Sequence, residues 1–146
     1  MAELIGAGHR EVVFCSGGTE SCQLAVRGAL ERMAEQAGGR RVLVTSPIEH
    51  AAVRELARLL ESCGCAQVRW LPIGPGGIVD VAGAGSLFDD SVALLSVQWA
   101  NNETGAIQPI EALAWLARDA GAMVHVDGTQ WVGRMPTDVG RLPIDC

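Results

Sequence analysis

Short apolar runs alternate along this chain with longer stretches whose apolar residues recur every three or four positions, and the runs end in clusters of Gly, Ser, Thr, Asn or His. Residues 12–15 run into Ser16-Gly17-Gly18, after which Cys22, Ala25, Val26, Ala29, Leu30 and Met33 keep helical spacing. Gly38-Gly39 closes that helix, residues 41–45 form the next strand, and Val53, Leu56, Ala57 and Leu60 mark a second amphipathic helix. Residues 67–71 read as a third strand, and the glycine-rich stretch 72–90 reads as loop with one weak helical turn near its end. Residues 92–97 are the most apolar strand. Pro109 fits the first turn of a helix carrying Ile110, Leu113, Ala114, Ala117 and Ala120, and residues 123–126 make a fifth strand. Strands separated by helices predict an α/β fold, a mainly parallel sheet with helices on both faces, in one domain.

Such a sheet binds ligands beyond the carboxyl ends of its strands, so composition matters chiefly for what can stand there. All 11 basic residues are arginines, and the chain holds no lysine. A lysine Schiff base or lysine general base is therefore impossible for this chain on its own. The net charge of −6, with scattered arginines, argues against a nucleic-acid partner. Residues 1–10 lack a leader pattern and the most apolar segment, 92–100, is too short to span a bilayer, so no membrane association is expected. Cys15, Cys22, Cys63, Cys65 and Cys146 include no CxxC pair, and this pattern predicts reduced thiols in a cytoplasmic protein. Cys15 and Cys22 read as small buried hydrophobes, Cys63-x-Cys65 lacks partners for a metal, and no metal site is expected. The abrupt start and the stop after Leu142-Pro143-Ile144-Asp145 have the look of a fragment, whose cut sheet would expose an apolar edge and favour aggregation.

Ser16-Gly17-Gly18-Thr19-Glu20 lies between a strand and a helix, where backbone amides and the helix dipole converge on an anion; an ordinary capped turn has the same composition. The Walker ending and the third glycine of a dinucleotide fingerprint are missing. His50 opens a helix, where it either stacks on a planar ligand and carries protons or bonds Glu49. His125 reads as a structural histidine. Asp127 ends an apolar strand, so its carboxylate needs either a turn capped through Thr129 or a cation such as a protonated ring nitrogen. Gln130 could donate to an oxygen on the same ring, and Asn101-Asn102-Glu103 leave their strand together in what reads equally as an asparagine turn.

Taken jointly and in order, Ser16-Gly17-Gly18-Thr19-Glu20, Glu49-His50-Ala51-Ala52-Val53, Trp99-Ala100-Asn101-Asn102-Glu103-Thr104-Gly105 and His125-Val126-Asp127-Gly128-Thr129-Gln130 resemble the class V aminotransferase family, most closely its cysteine desulfurase branch. The resemblance implies that residues 1–146 are part of the large domain of a pyridoxal-phosphate-dependent transferase of fold type I. It implies that Gly18 and Thr19 hold the phosphate, and that His50 stacks on the ring and relays protons as the catalytic residue. Asn102 would face cofactor and substrate, Asp127 would pair with the pyridinium nitrogen, and Gln130 would bond the phenolic oxygen. A complete relative would take sulfur from L-cysteine, leaving alanine and an enzyme persulfide for iron–sulfur cluster or thio-cofactor assembly. Its implied partners are a sulfur-acceptor protein and a second copy of itself. A selenocysteine lyase or another class V aminotransferase would share these residues, and a short non-catalytic protein binding phosphate or pyridoxal phosphate is the reading from a different class.

The departures are specific. The family's Schiff-base lysine lies in a Ser-Gly-His-Lys segment that would follow Cys146, and its amino-terminal segment, carboxyl-terminal domain and sulfur-receiving loop cysteine are also not in this chain. Gly128 stands where alanine is common. On the fragment reading, sequencing past the codon for Cys146 should show the frame continuing into Ser-Gly-His-Lys; a stop codon there would leave a non-covalent binder.

Overall fold

The computed structural model describes residues 1–36 and 38–146. A short helix α1 (Ala2–Ile5) leads to α2 (Gly18–Glu35), and then β1 (Val42–Thr45), α3 (Ala51–Ser62) and β2 (Gln67–Trp70) follow. A loop containing the short α4 (Val81–Ala84) precedes β3 (Val92–Gln98), α5 (Ile110–Asp119) and β4 (Met123–Asp127). The four strands form one parallel sheet in the order β2-β1-β3-β4, so their carboxyl ends share one edge.

Every residue of β3 is buried, which explains its nearly unbroken apolar sequence: a central parallel strand has no solvent face. Its side chains are divided between two cores. Leu94 joins Leu43 and Val68 beneath Val26, Leu30 and Met33 of α2 and Leu56 and Leu60 of α3. Leu95 and Val97 join Val44 and Val124 on the opposite face, covered by Ile110, Leu113 and Ala117 of α5 and by Leu71 and Val79 from the long loop. Helices therefore cover both faces.

Several polar side chains in or beside these cores are spent on the backbone. Thr45 Oγ1 donates to Ser96 O at 2.8 Å, tying β1 to β3. Gln108 accepts from Val79 N at 2.9 Å and donates to Gly77 O at 2.8 Å, which holds the loop over the sheet. Arg69 closes the other end of that loop, donating to Leu87 O at 2.8 Å and pairing with Asp89 at 2.9 Å.

One expected strand does not form. Residues 12–15 belong to no strand, and Val13 and Phe14 are 73% and 83% exposed. The outer edge of β4 is occupied instead by the chain end, with Val126 N donating to Cys146 O at 2.8 Å and Asp145 N to Val124 O at 2.9 Å. Apolar residues of high strand propensity form no strand without a neighbouring edge to pair with. Cys15 is half-buried rather than buried, and Pro109 is the residue preceding α5 rather than part of its first turn. The weak helical turn expected within 72–90 is α4, capped by Asp80 accepting from Ala82 N at 3.1 Å.

These burial differences give a direct stability comparison. Leu94→Ala should destabilise the fold by about 2–5 kcal/mol, whereas Phe14→Ser should change it by less than about 0.5 kcal/mol. Urea unfolding followed by circular dichroism measures both.

Candidate active site

The shared edge of the sheet places Gln98 and Asp127 at the ends of β3 and β4, while α2 and α3 begin over the same edge. Gly18, Thr19, His50, Asn102, Asp127 and Gln130 all line one cleft there, together with Cys22, Gln98, Ala100 and Thr129. Six residues spread over more than a hundred positions of sequence thus meet in one place. A crevice at the carboxyl ends of parallel strands is where this class of sheet binds its ligands.

Gly17 precedes α2 and carries no side chain to cap it, so the first-turn amides at Gly18 and Thr19 open toward the cleft. Glu20 accepts from Ser16 N at 2.6 Å, and this bond holds its carboxyl below the usual range. The turn is thereby fixed from its outer side, leaving the helix end and the Thr19 hydroxyl to meet an anion. Gly18 also has a packing reason: a Cβ there would stand 3.1 Å from Thr129 Oγ1.

His50 does not bond Glu49. Its Nδ1 accepts from Ala52 N at 3.2 Å and caps α3, which puts the ring proton on Nε2 and leaves that nitrogen for the cleft. Glu49, one residue earlier, is 1% exposed, with neither carboxyl oxygen hydrogen-bonded. Burial, with a smaller push from the negative charge of Asp127, raises its pKa to about 8.

Both sequence readings of Asp127 are compatible. Its Oδ1 accepts from Thr129 N at 3.0 Å, so the turn is capped, and its carboxylate still lines the cleft. Cys22 lies against it, with its thiol pushed up to about 12 by burial and then by the Asp127 charge. His125 is the structural histidine expected: its Nδ1 lies 2.8 Å from Ser96 Oγ, and burial lowers its pKa to about 4 despite the Asp127 charge. It is neutral near pH 7 and offers Asp127 no counter-charge.

The adjacent asparagines divide their roles. Asn101 Oδ1 accepts from Glu103 N and Thr104 N at 2.9 and 2.8 Å, and its amide donates to Ile48 O at 3.0 Å. This is the asparagine turn, and it leaves Asn102 exposed in the cleft. Gln130 accepts from Arg134 through its amide oxygen, which turns its NH₂ toward other acceptors. The turn carrying Gln130 is braced by Trp131, stacked on Trp99 with centroids 4.7 Å apart and planes 3° from parallel.

Sequence reasoning missed Gln98 and the tryptophan pair. Gln98 donates to Ile48 O at 2.6 Å, joining β3 to the segment that presents His50. Its signal was a polar residue closing the most apolar strand. The Trp pairing had no sequence signal, since it depends on two turns meeting in space.

The fold and cleft define an α/β protein with a candidate ligand site at a parallel sheet edge, where a helix start, an imidazole and a carboxyl group line one crevice. The description "Aminotransferase class-V" matches residues 1–146, and the chain belongs to that family. Pyridoxal phosphate is the cofactor of this family. The chain is 44% identical over 138 residues to the cysteine desulfurase NifS of Azotobacter vinelandii, an alignment covering 94% of this chain and 33% of that protein. It is 39% identical over 145 residues to the cysteine desulfurase IscS of Serratia proteamaculans, covering 99% of this chain and 35% of that one. A solved NifS-like protein superposes with a TM-score of 0.90 at 31% identity, covering 98% of this chain and 39% of its own. The chain spans about a third of the length of the curated relatives it matches. Among the described residues no helix is long and apolar enough to cross a membrane, and no three His, Cys, Asp or Glu side chains group to hold a metal ion.

The buried Glu49 predicts a pH signature. Its folded pKa of about 8 lies above the ordinary 4.5, so the folded state holds an extra proton between those values and stability falls as pH rises through them. His125 acts oppositely, with stability lost as pH falls from about 6.5 through about 4. Comparing Glu49→Gln with the parent isolates the carboxyl: the urea midpoint of the variant should gain on the parent steadily from pH 5 to pH 8. A constant difference across that range would contradict a neutral Glu49.

Proposed function

We propose that this chain is the cofactor-cradling part of a pyridoxal-phosphate-dependent cysteine desulfurase, residues 1–146 forming part of the large domain. The observation that carries this is the single cleft where an uncapped helix start, a free imidazole nitrogen and an anchored carboxylate converge. The donor set suits the cofactor: amides and a hydroxyl for a phosphate, a carboxylate for a protonated ring nitrogen, and an amide NH₂ for a phenolic oxygen.

When bound, the cofactor supplies an electron sink for the α-carbon of an amino acid, and the sink depends on its ring nitrogen staying protonated. Asp127 holds that proton, and the Thr129 N–H on its Oδ1 keeps the carboxylate oriented. Gly18 and Thr19 bind the phosphate. His50, fixed through Nδ1, places its ring against the cofactor and uses Nε2 to hold or pass a proton. Gln130 donates to the phenolic oxygen with the NH₂ that Arg134 leaves free, and Asn102 faces cofactor and substrate.

L-cysteine is the substrate that the relatives' names favour, and a solved structure described as "SspA in complex with cysteine" superposes with a TM-score of 0.88 at 30% identity. The products are alanine and a persulfide sulfur, passed to an acceptor protein for iron–sulfur cluster or thio-cofactor assembly. The complete protein works in the cytoplasm as a homodimer. The amine that anchors the cofactor and the cysteine that receives sulfur are not among these 146 residues, since no lysine is present. This chain alone is therefore inactive.

Titrating pyridoxal phosphate against tryptophan fluorescence tests the reading, because the stacked Trp99 and Trp131 are chain neighbours of the cleft-lining Ala100 and Gln130. Binding should saturate, and borohydride should fix no cofactor to any internal side chain. Asp127→Ala should weaken binding by roughly tenfold or more, the value of one hydrogen bond to a charged group. Inorganic phosphate binding with no preference for the pyridoxal ring would instead support the phosphate-binder reading.

A further inference from the structure

Away from the cleft, α3 ends in Cys63-Gly64-Cys65, some 18 Å from its His50 end at about 1.5 Å per residue. Both cysteines are exposed, and their sulfurs lie 3.0 Å apart, closer than an ordinary sulfur–sulfur contact. The backbone enforces this approach. Cys63 N donates to Leu59 O at 3.0 Å, Gly64 N to Glu61 O at 3.0 Å, and Cys65 N to Leu60 O at 2.9 Å. Gly64 adopts φ +72°, a left-handed conformation that turns the chain back so that both thiols leave the same side of the helix end.

The two thiols are unequal. Cys63 shares a hydrogen with Cys65, and this contact holds its pKa below the usual thiol value, with a smaller contribution from the Arg27 guanidinium on α2. Cys65 is raised, first by that same shared hydrogen and then by the negative charge of its neighbour. An exposed, more acidic thiol beside a second thiol is the arrangement of an attacking and a resolving cysteine. The helix-end cap is a structural motif in its own right, but it does not require cysteine at either flanking position.

We propose that Cys63 and Cys65 form a dithiol site, separate from the cofactor cleft, that reacts reversibly with small-molecule disulfides of the glutathione type. The Cys63 thiolate attacks one sulfur of the disulfide, breaking its S–S bond and releasing one thiolate, which takes up the proton that Cys63 gave up. Cys65 then loses its proton and attacks the Cys63 sulfur, forming the Cys63–Cys65 bond and releasing the second small thiol. Two protein thiols are oxidised to one disulfide, and one small disulfide is reduced to two thiols. The second step is intramolecular between sulfurs already in contact, so it outruns capture by solution thiols. The resulting ring is small and exposed, which makes it easy to reduce and lets the site cycle.

The test is exposure of the full chain to glutathione disulfide, followed by alkylation and peptide mass spectrometry. The expected product is a Cys63–Cys65 disulfide with no glutathione retained on that peptide, formed while Cys22 stays alkylatable only after unfolding. Cys65→Ser should stop at a glutathione adduct on Cys63, and Cys63→Ser should slow reaction at Cys65 by roughly tenfold or more. Both substitutions are exposed, and unchanged circular dichroism verifies the fold. Stable glutathione adducts on both cysteines of the parent, or a pair that stays reduced while exposed Cys146 reacts, would overturn the proposal.

Discussion

The burial of β3 on both faces is the constraint from which the rest of the structure follows. A strand with no solvent side must be flanked by strands and covered by helices twice, and parallel pairing aligns the carboxyl ends of its neighbours. Gln98 and Asp127 therefore face each other in register, and α2 and α3 open at the same edge. The cleft costs no separate architecture. It is the rim that a parallel sheet leaves where strands turn into loops.

Charge at that rim is controlled by burial more than by pairing. Glu49 and Asp127 repel one another, and the buried member takes up a proton at neutral pH while the anchored member stays exposed to the cleft. His125 stays neutral because it is buried, and Cys22 stays a thiol because it is buried, with a further push from the adjacent Asp127. A carboxyl group in a cleft whose described lining carries no arginine or lysine is suited to a cationic ligand atom. This is the condition a carboxylate must meet to hold a proton on a ring nitrogen.

Much of this was legible in the chain because parallel α/β folds repeat one local rule. The helices α2, α3 and α5 and the four paired strands each show their periodicity in sequence, and the polar clusters after them mark the rim. Residues 12–15 misled because strand propensity describes a segment, whereas strand formation requires a partner edge, and the edge of β4 is held by residues 145 and 146. The partner of His50 was unreadable for a related reason: whether an imidazole bonds the preceding carboxyl or caps its own helix is settled by φ and ψ, not by composition. Trp99 and Trp131 meet only after two turns have been placed.

Along the rim, scaffold and site residues lie within two positions of each other, and strand and turn geometry keep their roles apart. Asn101 saturates its amide on the turn so that Asn102 is free; Glu49 faces the interior so that His50 faces the cleft; Thr129 spends its N–H on Asp127. Each pair holds one residue by hydrogen bonds or burial and thereby fixes the direction of the next. Exchanging the members of a pair would preserve composition and motif spacing while reversing which side chain reaches the ligand. In the Asn101-Asn102 pair position alone decides, since two identical side chains differ in role only because the backbone amides of Glu103 and Thr104 lie within reach of the first. Order within the motif, more than its residue content, is what builds the site.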